Sequence, residues 1–420
     1  MSKRFTLFLR VASFALACFV VGTLAAGELT FFGTTDKNPL EYAAGETMTF
    51  TVKLLDDGQP MDGKKLVWTR KGDDGKTQTG EALSSATEPL VIKTSLDVPG
   101  FVWIQVGVLG DDGKMLEGDS HYFNGGAGVR LDEIQGFAEP ADFDAFWARQ
   151  KERLAQVPME ATLTQVDSGR DGVLCFDTKV TCLGAPVSGY LCLPKNAAEK
   201  SLPAYLEVQG YGVGTSHKNT GVGASALVLN INAHGIENGR EPEYYQNLQK
   251  TTLAGYGLPA SSNTDPESSY WNGVAMRVMR ALEYLKSRPE WDGKTLVVSG
   301  GSQGGFQSLL AAGLDSDVTL ALPSIPWFCD VSGSAENGRI KSIFAPEWTA
   351  ALGYYDGANH AKRIQARVEI FAGLGDYVCP PSGQLVLYNN IKSPVKLKFA
   401  QGRTHGYQMN NCPMYEQEKP

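Results

Sequence analysis

The sequence predicts an α/β protein: a mostly parallel sheet with helices on both faces, preceded by a small immunoglobulin-like β-sandwich. Short runs of alternating polarity, punctuated by Asp-Gly turns, fill the N-terminal part. Apolar strand-like runs alternating with helical periodicity fill the rest. A chain of 420 residues also exceeds what one hydrophobic core usually organises, which favours two domains.

The first residues are a separate matter. Lys3, Arg4 and Arg10 are followed by an apolar stretch from Val11 to Leu24 and by the small residues Ala25, Ala26 and Gly27. This is the pattern of a secretory signal peptide over residues 1–26, with cleavage expected near Ala26 and an exported product, whether periplasmic, secreted or surface-held. The apolar run is shorter than the roughly 20 residues that span a bilayer, so no membrane span is expected. Cys18, after Ala15-Leu16-Ala17, loosely resembles a lipoprotein site and is the secondary reading.

Hydrophobic residues at 42% and charged residues at 20% are globular values and exclude a disordered chain. A net charge of -8, with no basic stripe carrying interleaved aromatics, excludes nucleic acid as a partner. Cys175, Cys182, Cys192, Cys329, Cys379 and Cys412 follow the leader. Export permits disulfides among them, but the spacing does not pair them. The chain has no Cys-x-x-Cys and no His-Glu-x-x-His, so neither a metal nor another cofactor is expected.

Residues 27–124 read as the sandwich. Met48, Phe50, Val52 and Leu54 alternate with Thr49, Thr51 and Lys53, which gives one buried and one wet face, and a later strand runs from Phe101 to Leu109. Asp57-Gly58, Asp62-Gly63, Asp74-Gly75 and Asp112-Gly113 supply the turns. The tetrads Asp73 to Lys76 and Asp111 to Lys114 read as hairpin turns rather than calcium loops. Asn124-Gly125-Gly126-Ala127-Gly128 has the composition of a linker.

The second domain is expected over 125–420. It begins with an amphipathic helix carrying Phe143, Phe146, Trp147 and Leu154. Strands follow at Pro203 to Gln209 and Ala226 to Ala233. A helix then carries Val274, Val278, Leu282 and Leu285, and Asp292-Gly293 turns into a strand at Thr295 to Ser299. The long segment from Tyr244 to Trp271 is expected to cover the pocket, its aromatics stacking on a ligand or merely packing.

That last strand leads into Gly300-Gly301-Ser302-Gln303-Gly304, a Gly-x-Ser-x-Gly sequence that precedes helical periodicity from Phe306 to Leu314. Strand, tight turn and helix form the context of a nucleophile elbow, the mark of the α/β-hydrolase fold, with Ser302 as nucleophile. In that fold the acid and the histidine follow the serine. His360 and His405 are the histidines after Ser302, and His405, in a glycine-flanked loop after the strand Val395 to Ala400, is the expected base. His360 sits at a helix start and suits a surface or packing role. Asp376, in the turn after the strand Val368 to Ala372, is the expected acid, ahead of Asp356 and Asp330. The oxyanion hole is expected from the backbone N–H of Gln303 and that of Tyr211, in the loop Gln209-Gly210-Tyr211-Gly212.

Gly300 to Gly305, Pro326-Trp327-Phe328-Cys329-Asp330, Tyr354-Tyr355-Asp356 and especially Gly373-Leu374-Gly375-Asp376-Tyr377-Val378-Cys379-Pro380-Pro381-Ser382 resemble the acetyl xylan esterase and cephalosporin-C deacetylase family, carbohydrate esterase family 7. The resemblance covers roughly Ala138 to Gln408. It implies a triad at Ser302, Asp376 and His405, oxyanion donors at Tyr211 and Gln303, and deacetylation of small acetylated sugars and xylo-oligosaccharides. In one place the chain departs: after the strand ending at Asn232 the family shows Arg-Gly-Gln, and here His234-Gly235-Ile236 stands instead.

The expected partner is thus a small-molecule or oligosaccharide acetyl ester, with homo-oligomerisation open. Two rival readings stand beside it. One is a broad carboxylesterase, or another serine hydrolase such as a peptidase, on the same fold. The other is a glycan-binding surface protein whose hydrolase domain is degenerate.

Overall fold

The computed structural model describes residues 28–333 and 338–420; the leader read over 1–26, Cys18 included, lies outside them. Two antiparallel sheets come first. One joins β1 (Leu29–Thr35), β2 (Met48–Asp56), β3 (Gln59–Pro60) and β6 (Leu90–Thr94); the other runs β5 (Thr77–Leu83), β4 (Lys65–Gly72), β7 (Gly100–Val108), β8 (Tyr122–Val129). Asp57 and Gly58, with φ of 46° and 77°, close the two-residue turn between β2 and β3. Met48, Phe50, Val52 and Leu54 of β2 meet Val102, Ile104, Val106 and Val108 of β7 in one buried cluster. Trp103 and Gln105, between those β7 positions, lie on the sheet's other face.

The glycine-rich segment Asn124 to Gly128 is not a linker. It forms most of β8, paired antiparallel with β7 from Gly100↔Val129 to Gly107↔Tyr122. Its glycines are there for lack of room. A Cβ at Gly126 would stand 2.8 Å from the carbonyl oxygen of Leu374, because another backbone passes directly over the strand.

The second sheet system has ten strands. Its order is β18 (Met414–Lys419), β17 (Val395–Ala400), β16 (Arg367–Gly373), β15 (Leu320–Ser324), β14 (Trp291–Gly301), β12 (Leu202–Val208), β13 (Leu227–Ile231), β11 (Val187–Pro194), β10 (Val173–Val180), β9 (Ala161–Val166). From β13 through β12, β14, β15 and β16 to β17 the pairing is parallel; β18 on one side and β11, β10 and β9 on the other are antiparallel. β13 is buried at every position, so both faces of the sheet are covered there.

Among the described residues the α-helices are α1 (Phe143–Ala155), α2 (Pro242–Lys250), α3 (Tyr270–Ser287), α4 (Gln303–Leu314), α5 (Gly357–Ala361) and α6 (Pro381–Asn390). α3 starts earlier than its apolar spacing suggests, because Ser269 caps it by accepting the Trp271 N–H at 3.3 Å. Val278, Leu282 and Leu285 of α3 join the core over the sheet. Cys175 and Cys192 face each other across β10 and β11 with sulfurs 3.3 Å apart, and the six cysteines among the described residues are free thiols. Among the described residues no helix is long and apolar enough to cross a membrane.

Candidate active site

β14 ends at Gly301 and α4 begins at Gln303, so the chain reverses on Ser302 alone, whose φ of 57° and ψ of −119° lie in a strained region. Three backbone bonds hold it there. The Ser302 N–H donates to the Ser324 carbonyl at 2.9 Å, and the Ser302 carbonyl accepts from Trp327 at 3.0 Å and Phe306 at 3.1 Å. The flanking glycines answer to sterics: a Cβ at Gly300 would sit 2.6 Å, and one at Gly304 2.3 Å, from the Val208 carbonyl oxygen. Gly301 meets nothing within 4 Å, so that position of the motif is free to vary.

The structure brings Asp376 and His405 to this serine. His405 Nε2 lies 2.9 Å from Ser302 Oγ, and His405 Nδ1 lies 2.9 Å from Asp376 Oδ2. Asp376 is fully buried at the end of β16. Its other oxygen accepts the N–H groups of Val378 and Cys379 at 3.0 and 2.9 Å. A carboxylate facing Nδ1 takes the proton there, which leaves Nε2 bare to accept from the serine hydroxyl. Pro380 and Pro381 then start α6 and end the loop. His405 stands at the tip of a small turn in which Thr404 N–H bonds the Tyr407 carbonyl and Met409 N–H bonds that of Gly402.

Of the two expected oxyanion donors, Gln303 follows the serine directly and Tyr211 lies in the loop after β12. Gln303 is the first residue of α4, and a first-turn amide has no carbonyl one turn back to bond. Among the described residues no acceptor takes the Tyr211 N–H. The Tyr211 ring lies on Tyr256, with centroids 4.3 Å apart and planes 14° apart, and meets Phe344 edge-on at 4.9 Å.

Sequence reasoning missed the device that ties these donors together. The Tyr256 oxygen accepts the Gly212 N–H at 2.8 Å and donates to Gln303 Oε1 at 2.9 Å; burial pushes its pKa well up, so the hydroxyl keeps its proton. On the far side His234 Nε2 donates to the Gly212 carbonyl at 2.8 Å while Nδ1 accepts from the Tyr270 hydroxyl. Burial pulls the His234 pKa down to about 4, so the ring is neutral and this tautomer is fixed. His234 thus serves the scaffold of the oxyanion loop rather than the chemistry. The aromatic richness of Tyr244 to Trp271 was the one available signal, and these tyrosines pack. Tyr256→Phe strands two buried polar groups and loosens both donors. Its kcat is expected to fall about 10- to 100-fold, with about 1–3 kcal/mol lost in stability, read by esterase kinetics and denaturant unfolding.

The other candidates fall elsewhere. His360 takes the packing role rather than a surface one: it is fully buried. Its Nε2 bonds the Tyr354 carbonyl at 3.1 Å, its ring meets Phe143 and Trp147 edge-on, and burial pulls its pKa down to about 3. Asp356 caps α5 and also accepts the N–H groups of Asp330 and Val331, both at 2.8 Å, which clamps the loop after β15. Asp330 pairs with Arg339. Asp376, Cys379 and His405 offer atoms within 4.8 Å of one another, a metal-like cluster. The acid and the histidine are already bonded to each other, however, and burial together with the Asp376 charge keeps the Cys379 thiol protonated.

Comparison with known proteins identifies the family. The family model of acetyl xylan esterase (AXE1) matches residues 129–418. The acetyl esterase Axe7A of Xylanibacter ruminicola is 30% identical over 335 residues, covering 76% of this chain and 73% of that one. An acetyl xylan esterase from Paenibacillus sp. R4 superposes with a TM-score of 0.54 at 29% identity, over 66% of this chain and 93% of the other. Acetyl xylan esterase 1 from Thermoanaerobacterium sp. gives 0.57 at 25%, over 67% and 94%. A nucleophile elbow on an α/β-hydrolase sheet and a family match over more than half its length place this chain in the acetyl xylan esterase family, as a carboxylic ester hydrolase.

Proposed function

We propose that this protein is an exported serine esterase that removes acetyl groups from small acetylated carbohydrates such as xylo-oligosaccharides, with Ser302, His405 and Asp376 as its triad. The observation that carries the reading is the continuous run of two 2.9 Å contacts from Ser302 Oγ through His405 to Asp376. The carbohydrate substrate draws its support from the relatives, which are acetyl esterases and acetyl xylan esterases. Export draws its support from the charged, apolar and small-residue order of residues 1–26.

In this mechanism His405 Nε2 takes the Ser302 proton as Oγ attacks the acetyl carbonyl, and the N–H groups of Gln303 and Tyr211 face the developing oxyanion. His405 then gives that proton to the departing sugar oxygen, which leaves as a free hydroxyl. Water, deprotonated by the same nitrogen, opens the acetyl-enzyme to release acetate.

The test compares p-nitrophenyl acetate with p-nitrophenyl butyrate and then measures acetate release from acetylated xylan. Acetate is expected to be cleaved at least about 10-fold faster, the discrimination that one or two methylenes supply in a closed pocket. Equal rates on butyrate point to a broad carboxylesterase, and amide hydrolysis to a peptidase. An intact mass beginning just after Ala26 in the exported fraction checks the leader.

A further inference from the structure

The outer face of the sandwich is not free. Trp103, on the face of β7 opposite the sandwich core, stacks on Tyr377, with centroids 4.3 Å apart and planes 24° apart. Tyr377 is buried and is the residue immediately after the candidate acid. Two positions earlier, Gly375 lies so close to β8 that a Cβ would stand 2.2 Å from the Asn124 carbonyl oxygen. The Asn124 side chain is itself fixed, accepting from Trp103 Nε1 at 3.2 Å and Gln105 Nε2 at 3.0 Å.

The histidine arm reaches the same strand. Gln401, fully buried just beyond β17, mimics a strand edge: its side-chain oxygen accepts the Gly126 N–H at 2.9 Å and its amide donates to the Gly126 carbonyl at 3.0 Å. Met409, which closes the turn that carries His405, is buried inside the hydrophobic core of the sandwich, with Tyr407 packed against it. Acid and base therefore come from two separate loops, and each is anchored on β7 and β8.

We infer that the N-terminal sandwich positions the catalytic pair: Trp103, Asn124 and Gly126 are positioning residues that hold the Asp376 and His405 loops at their mutual distance. The inference rests on the triad reading above, and it assigns the sandwich a role in turnover rather than in glycan capture. A carboxylate and an imidazole held in two independent loops need a common support, because displacements of about 1 Å far from the reacting atoms can lower rates about 100-fold.

Trp103→Ala removes the stack and the Asn124 bond without emptying a position in the sandwich core. Its kcat on p-nitrophenyl acetate is expected to fall about 10- to 100-fold while KM stays within about twofold, and Trp103→Phe, which keeps a ring on Tyr377, recovers most of the rate. Trp103→Leu gives the same comparison if the alanine variant does not fold, and amide exchange across 374–379 and 404–409 is expected to quicken in whichever variant folds. A folded Trp103→Ala or Trp103→Leu with wild-type kcat overturns the inference. So does a raised KM at unchanged kcat, which puts Trp103 in substrate binding. Activity that survives Ser302→Ala removes the triad reading and this inference with it; an inactive Ser302→Ala beside a fully active Trp103→Ala removes this inference alone.

Discussion

Ser302→Ala is expected to lower kcat on p-nitrophenyl acetate by about a million-fold, with KM nearly unchanged. The size of the effect follows from what the residue does. Removing Oγ leaves no atom to be acylated, and His405 has only bulk water to activate from a position set for the serine. What survives is the contribution of the oxyanion donors and of binding, about 10³- to 10⁴-fold over water. The fold should be untouched. The hydroxyl makes no capping bond to α4, and the strained turn is held by backbone bonds to Ser324, Trp327 and Phe306 that alanine retains. Unfolding curves for the two proteins should superimpose, and the initial burst of p-nitrophenol that marks acyl-enzyme formation should vanish. A variant that still turns over at a tenth of the wild-type rate removes Ser302 as nucleophile.

Asp376→Asn is expected to cost about 10⁴ in kcat, and this structure gives a specific reason. One carboxylate oxygen accepts the N–H groups of Val378 and Cys379, so an asparagine must turn its carbonyl oxygen to those donors. Its amide nitrogen then replaces Oδ2, 2.9 Å from His405 Nδ1. An amide donor there forces Nδ1 to accept, moves the ring proton to Nε2 and leaves no lone pair for the serine hydroxyl. The geometry is kept while the tautomer is inverted. Asp376→Ala lacks that enforced inversion and is expected to be less impaired than the asparagine variant in kcat, at some cost in stability because two buried N–H groups lose their acceptor. Steady-state kinetics of the pair decide it: an asparagine variant more active than the alanine one contradicts the tautomer argument.

What the sequence made legible was local. The Gly-x-Ser-x-Gly turn is a five-residue steric problem, and its glycines at 300 and 304 are dictated by a carbonyl one strand away. The alternation in β2 and the apolar spacing of α3 report burial directly, so those elements were readable. The turn after β16 and the loop after β17 were readable as well, because the hydrolase sheet delivers an acid and a histidine in that order. The Tyr256 tether was not, because it joins residues 44 and 47 positions apart and a tyrosine bears no mark of where its hydroxyl points. The segment Asn124 to Gly128 was misread for a related reason. Glycine in a linker and glycine beneath a crossing backbone look alike until Leu374 is seen above Gly126. For His360 the sequence left a surface and a packing role open, and what decides for packing, the cover of Phe143 and Trp147, comes from a helix far upstream.

The clasp between Gln401 and Gly126 spans 275 positions of chain. Contacts of such separation form late, since the entropy of closing the intervening loop must be met before they contribute anything. Each half can organise its own sheet early, but the acid and the base come together only when the last strands have docked. On the proposed triad, a chain interrupted before residue 405 has the nucleophile and no base. Under the proposed triad, a molecule in which that clasp has not formed carries the elbow without its base in place.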